Sequence, residues 1–142
     1  MAQNWLIPVE GDAISLKPVH WVIAHRDDWR TLPTIHLLNV QPSLPADVSR
    51  FINAEQIREF HREEGEKALA EARRLLREAG IEARVHVSVG DSAEIIVSFA
   101  RDLGCEMILL GTRGHTGLGG TLLGSVASRV VAHASVPVLL IR

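Results

Sequence analysis

Gly111, Gly114, Gly124 and Ser125 have the residue types and spacing to hold a phosphate. They follow an apolar run, Met107 to Leu110, and lead into a helix-patterned stretch. Glycine at a strand exit lets the backbone take a positive φ and approach a ligand with no Cβ in the way. A helix N-terminus adds unpaired N–H groups at the positive end of its dipole. Arg113 and His115 lie inside the loop and can add charge-assisted hydrogen bonds to phosphate oxygens, while Val126 carries the loop into the helix. The chemistry expected of this segment is anion binding, mostly by backbone.

The spacing excludes the two commoner nucleotide loops. Gly119 and Gly124 have the Walker A separation, but position 125 is Ser, where that motif needs Lys on the phosphates. Gly117-Leu118-Gly119 begins like a dinucleotide fingerprint, yet Leu122 stands where its third Gly belongs, and no second βαβ half follows. A mononucleotide is the expected ligand.

These residues need a scaffold, and the chain alternates short β-type runs with helix-period segments. The β-type runs are Asn4 to Val9, Ile35 to Val40, Ala83 to Val89, Glu106 to Leu110 and Val136 to Ile141. The helical segments are Pro18 to Trp29, Ala54 to Ala79, Ser92 to Leu103 and Ser125 to Ala134. The order βαβαβαβαβ implies a parallel sheet covered on both faces. Asn53 with Gln56, and Asp91 with Glu94, have capping-box spacing, and Gly80 and Gly104 stand where a left-handed C′ residue belongs. Pro18 is tolerable only in a first turn, which starts helix one near Lys17. Gln41 to Ile52, with two prolines and no period, reads as a long surface loop able to cover a ligand.

At 142 residues and 46% hydrophobic content, the chain suits one compact domain over 1–142. Fifteen Lys and Arg against 17 Asp and Glu give a net charge of −2, and no like-charge block forms a basic stripe, so nucleic acid and membrane surfaces are not expected partners. A single Cys105 precludes an internal disulfide, and the N-terminus lacks a basic n-region and a long apolar h-region, so the expected location is cytoplasmic.

The whole chain resembles a single-domain universal stress protein, in whose ATP-binding branch G-x2-G-x9-G-[ST] is the signature, matched by Gly111, Gly114, Gly124 and Ser125. The similarity extends to Ile7-Pro8-Val9, Leu38-Asn39-Val40, Val89-Gly90-Asp91 and Val136-Pro137-Val138. It implies a Rossmann-like open five-stranded parallel α/β sheet of order 3-2-1-4-5, with Val9 and Glu10 opposite Gly111 at the switch point. It also implies an adenine nucleotide, ATP or AMP, with Mg2+ accompanying ATP. Pro8 and Val40 would be adenine-side contacts, Glu10 the ribose contact, and the glycines with Ser125 the phosphate cradle. The family usually has Asp where this chain has Glu10, and the extra methylene moves the carboxylate by more than ~1 Å. The implied role is a small stress-response regulator or protectant with an unidentified protein partner. By the same resemblance the apolar strand 136–141 lies at a sheet edge, where a homodimer would pair.

Other functions ask for residues that the sequence does not supply as readily. An ATP hydrolase or phosphotransferase needs a metal-holding carboxylate and a group that orients the nucleophile, and Glu10 alone must serve for both. A pyrophosphatase-type nucleotidyl transferase needs a Gly- and Ser-rich loop after strand one, and Pro8-Val9-Glu10-Gly11-Asp12 is not that. A family member acting by protein contacts alone would show a broken glycine loop. No catalytic residue is therefore assigned. The seven histidines show neither an H-x3-H pair with a companion ligand nor E-x-x-H, so no metal site is expected. Cys105 reads as a small apolar core residue. Glu55 to Arg77 reads as a solvated amphipathic helix, with Ile57, Phe60, Ala68, Ala72 and Leu75 on its apolar face and Glu63 set against Lys67. Ser125 suits an N-cap of the last helix as well as a phosphate contact.

Overall fold

The computed structural model describes residues 3–113, 115, 116, 120, 121 and 123–142. Five strands form one parallel sheet: β1 (Asn4–Pro8), β2 (Thr34–Gln41), β3 (Ala83–Val89), β4 (Met107–Gly111) and β7 (Val138–Ile141), in the order β3-β2-β1-β4-β7. This is the expected 3-2-1-4-5 arrangement once a two-residue antiparallel hairpin, β5 (His115–Thr116) with β6 (Gly120–Thr121), is set aside. That hairpin lies between Gly111 and Gly124 and carries no hydrophobic period long enough to mark it in the sequence.

Successive strand residues point to opposite faces, which sorts the apolar runs into two cores. Trp5, Ile7, Val9, Ile35, Leu37 and Leu109 lie in a core shared with α1 (Lys17–Ala24) and α3 (Ala54–Glu78). Leu6, Leu38, Ile108 and Leu110 lie in a core shared with α4 (Ser92–Asp102) and α5 (Ser125–His133). Burial on both faces explains why the central strands read as continuous apolar runs rather than alternating ones. The register joins Trp5 on β1 to Ile35 on β2 and to Met107 on β4.

The helix ends follow local chemistry. Asn53 and Gln56 form the expected reciprocal box, and the Asp91 side chain accepts from the Glu94 N–H. Gly80 and Gly104 adopt φ of +74° and +65°. Helix one starts at Lys17 with Pro18 in its first turn, as expected, but stops at Ala24 instead of running to Trp29. The His25 imidazole bonds the Trp21 carbonyl at 2.9 Å and stacks on the Trp21 ring, and a 3-10 turn, Arg26–Asp28, follows. The imidazole adds a second donor to a last-turn carbonyl that also accepts the His25 N–H at 3.0 Å. Within the loop expected at Gln41 to Ile52, one short turn of helix, α2, spans Ala46–Ser49.

The long helix α3 buries Ala72 as expected, but around it the buried stripe is shifted by one residue from the expected one. Its buried residues are His61, Gly65, Leu69, Ala72 and Leu76, while Phe60 is exposed. Gly65 fixes this rotation, since a Cβ there would stand 2.5 Å from Val87 Cγ2 on β3. On the solvent face Arg62 pairs with Glu59 and Glu66, Arg74 with Glu71 and Glu78, and Lys67 with Glu64 instead of Glu63. Exposed pairs of this kind contribute little, so packing and not charge places the helix.

Candidate functional site

The carboxyl ends of β1, β2 and β4 meet where the sheet order reverses, and each is held by its own hydrogen bonds. After β1 the chain turns through Gly11 at φ +90°, where a Cβ would stand 3.2 Å from Ala68 Cα on α3. The turn is closed by Ser15, whose Oγ accepts from the Glu10 N–H at 2.9 Å and whose own N–H donates to Asp12 Oδ1 at 2.8 Å. Hydrogen bonding from Ser15, with the Arg113 charge nearby, holds the Asp12 carboxyl below its ordinary value. At the end of β2 the buried Asn39 donates to the Val9 carbonyl at 2.8 Å and accepts from Gln41. At the end of β4 the Thr112 carbonyl accepts from Lys17 Nζ at 2.6 Å, and its N–H donates to the Ile141 carbonyl at 2.8 Å.

Two cavities open between these ends, and Glu10 lines both. The smaller, about 300 Å³, is walled by Pro8, Glu10, Asp12, Gly111, Thr112, Arg113, Gly124, Ser125 and Val126. The larger, about 580 Å³, is walled by Glu10, Asn39, Val40, Pro42, Glu64, Lys67 and Ser92. Both volumes suit small-molecule sites, which run from about 300 to 1,000 Å³.

The two described glycines of the loop do different work, and neither has positive φ. Gly111 is where the β1–α1 turn presses on β4, since a Cβ there would lie 1.9 Å from the Ile14 carbonyl oxygen. Gly124, at φ −55° and ψ 163°, is the N-cap of α5, and a Cβ on it would meet nothing within 4 Å. Ser125 is thus the first helical residue rather than the cap. Residues of the first turn of α5 line the smaller cavity, and among the described residues no side chain caps that helix end. Asp91 positions that helix by accepting from both terminal nitrogens of Arg129 at 3.0 and 2.8 Å.

Of the residues the sequence singled out, Pro8, Glu10, Val40, Gly111, Arg113, Gly124, Ser125 and Val126 line this crevice. Val9 does not, because its side chain is buried in the α1/α3 core and its carbonyl is taken by Asn39. Gly114 and the side chain of His115 lie outside the described residues. Sequence reasoning missed Asp12, Lys17 and Thr112. Asp12 and Ser15 carry a legible signal, a capping-type spacing of three just ahead of a helix, whereas the Lys17 and Thr112 contact joins positions far apart in the chain. Among the described residues no three His, Cys, Asp or Glu side chains converge as a metal site. Cys105 is buried, and burial pushes its thiol up to about 11. No described helix is long and apolar enough to cross a membrane.

The model of the universal stress protein family matches residues 1–142. Universal stress protein MJ0531 of Methanocaldococcus jannaschii is 34% identical over 140 residues, covering 96% of this chain and 80% of that protein. The fold also matches a universal stress protein family protein of Arabidopsis thaliana with AMP bound, at a TM-score of 0.70 and 20% identity over 98% of this chain and 90% of the other. A universal stress protein from Archaeoglobus fulgidus in complex with dAMP superposes with a TM-score of 0.69 at 21% identity, covering 100% of this chain and 98% of that one. With its sheet order, its glycine-capped last helix and a match along its whole length, this chain belongs to the universal stress protein family.

Proposed function

We propose that the protein binds an adenine nucleotide in the crevice between β1 and β4 and acts as a small stress-response regulator or protectant in the cytoplasm. The observation that carries this reading is the side-chain-free cap of α5 on the smaller cavity, which shares Glu10 with the larger cavity that Val40 lines. Phosphates belong at that helix terminus, beside Arg113, and the base and ribose belong on the Val40 and Glu10 side. The glycine cradle fits the group, because among the described residues nothing fills the space a Cβ would take at Gly124. The AMP and dAMP held by the two structural relatives support an adenine ligand. Where that ligand is ATP, Mg2+ accompanies it, with Glu10 and Asp12 the carboxylates on hand. Mass spectrometry of the small molecule released from purified protein tests this reading: an adenine nucleotide is expected, and protein that neither carries nor binds ATP or AMP overturns it.

Occupancy rather than turnover is the proposed role. Neither a Walker lysine nor a described metal cluster is at hand, so ATP turnover is expected well below the ~1 s⁻¹ of dedicated enzymes. Phosphate release at or above that rate, lost in Glu10→Ala, would establish a hydrolase instead.

The protein is further expected to be a homodimer through β7, with protein partners beyond the second copy still to be identified. This strand is at the sheet edge, Leu140 on it is 38% exposed, and Val131 on the neighbouring α5 is 45% exposed. Light scattering at micromolar concentration should give twice the chain mass, and a folded Leu140→Pro variant should give the monomer mass. A monomeric parent, or an unchanged dimer in the variant, removes this interface.

A further inference from the structure

On the sheet face covered by α4, three strands contribute one hydrogen-bonded chain of polar side chains. His36 on β2 is 4% exposed, with Nδ1 at 3.0 Å from Nε2 of His86 on β3 and Nε2 at 2.9 Å from Oδ1 of Asn4 on β1. The His36 and His86 rings are nearly parallel, at 20°, with centroids 5.2 Å apart. Phe99 of α4 meets the half-buried His86 at 60° and 4.9 Å.

The direction of this chain follows from what each atom can do. An amide oxygen only accepts, so His36 carries its proton on Nε2 and donates to Asn4. His36 Nδ1 is then the acceptor, and His86 must donate from Nε2. One further proton fits on His86 Nδ1 without breaking either bond. A second proton would have to sit on His36 Nδ1, where it would meet the His86 N–H donor head-on across 3.0 Å.

We propose that Asn4, His36 and His86 form a one-proton latch across β1, β2 and β3, which a second proton opens by driving His86 out from between His36 and Phe99. The surroundings give a second charge no relief. Asn4 on β1 and Phe99 on α4 are neutral, Arg84 on β3 adds positive charge, and no carboxylate is among the groups that shift either ring. Burial first, then the charges of His86 and Arg84, lowers the His36 value below 6.5, and burial followed by Arg84 lowers that of His86. Because both folded-state values are depressed, the contribution of the latch is whole above pH 6.5 and is lost as pH falls toward those values. The two protons leave as a coupled pair, with His36 the harder to charge.

Two measurements on the full chain test this latch. In a proton NMR titration of the wild type, both imidazoles should titrate below the ordinary value, and His86 should change before His36. Urea unfolding should show the unfolding equilibrium constant of wild type rising more steeply than that of His86→Gln as pH falls below 6.5, by up to about tenfold per pH unit, with no such difference above it, since one fewer group then takes up a proton on unfolding. Glutamine keeps a donor toward His36 and cannot titrate. Independent titration of both rings near 6.5, or a pH slope unchanged in a folded His86→Gln protein, overturns the proposal. The NMR titration decides the matter if that variant does not fold.

Discussion

Gly124→Val is expected to weaken ATP and AMP binding at least a hundredfold while leaving the fold intact. The fold has no reason to object, because among the described residues a Cβ at this position meets no atom within 4 Å and the φ of −55° is open to any L-residue. The ligand has every reason to object. The added branches fill the approach to the α5 terminus, where backbone N–H groups are to meet phosphate oxygens. Losing two such bonds to an anion, at about 1.5–3 kcal/mol each, amounts to at least a hundredfold in dissociation constant. Calorimetry with both nucleotides, alongside circular dichroism, reads affinity and fold separately. Native dichroism with affinity within a few-fold of wild type would remove the phosphate cradle from α5.

The companion substitution in the same motif should do the opposite. Gly111→Ala is expected to destabilise the protein by about 3 kcal/mol. Its methyl would lie 1.9 Å from the Ile14 oxygen and 2.9 Å from the Ile14 carbonyl carbon, and neither is the free end of a side chain. That carbonyl accepts from the Lys17 N–H at the start of α1, and the turn around it is pinned by Ser15 and Asp12. The strand or the turn must move, and both carry the walls of the smaller cavity. Urea denaturation should show a lowered midpoint with an unchanged slope, and a loss under about 1 kcal/mol would mean that the turn yields easily. Within one signature, then, the fold is expected to need Gly111 and the proposed ligand Gly124.

The strands were legible because the central ones are buried on both faces and read as unbroken apolar runs, from Leu6-Ile7 to Ile108-Leu110, whereas their order came only with the family resemblance. Caps were legible wherever a side chain three residues away takes part, as with Asn53 and Gln56. The rotation of α3 was not, because Phe60 and Ala68 obey the helical period as well as Leu69 and Leu76 do. What decides between them is the notch at Gly65 against Val87, a contact between segments far apart in the chain. The candidate site divides in the same way. Glycine spacing points to the phosphate end, whereas Lys17 on the Thr112 carbonyl and Asn39 on the Val9 carbonyl reveal nothing until the strands are side by side. Val9 reads as a contact by its place at a strand end, yet strand alternation sends its side chain into the core.

The central place of β1 sets the order in which the molecule can be built. β1 is the first strand to leave the ribosome, and it pairs with β2 after some thirty residues, Trp5 beside Ile35. Its other edge waits for β4, with Trp5 beside Met107 roughly a hundred positions later. Contacts so distant in sequence carry a larger loop-closure cost and form slowly. During synthesis the β1–β2–β3 half can therefore collapse with α1 and α3 while one edge of β1 stays unpaired. The crevice between β1 and β4 can close only after β4 and the first turn of α5 have been made, so the proposed nucleotide site is not available to a nascent chain shorter than that.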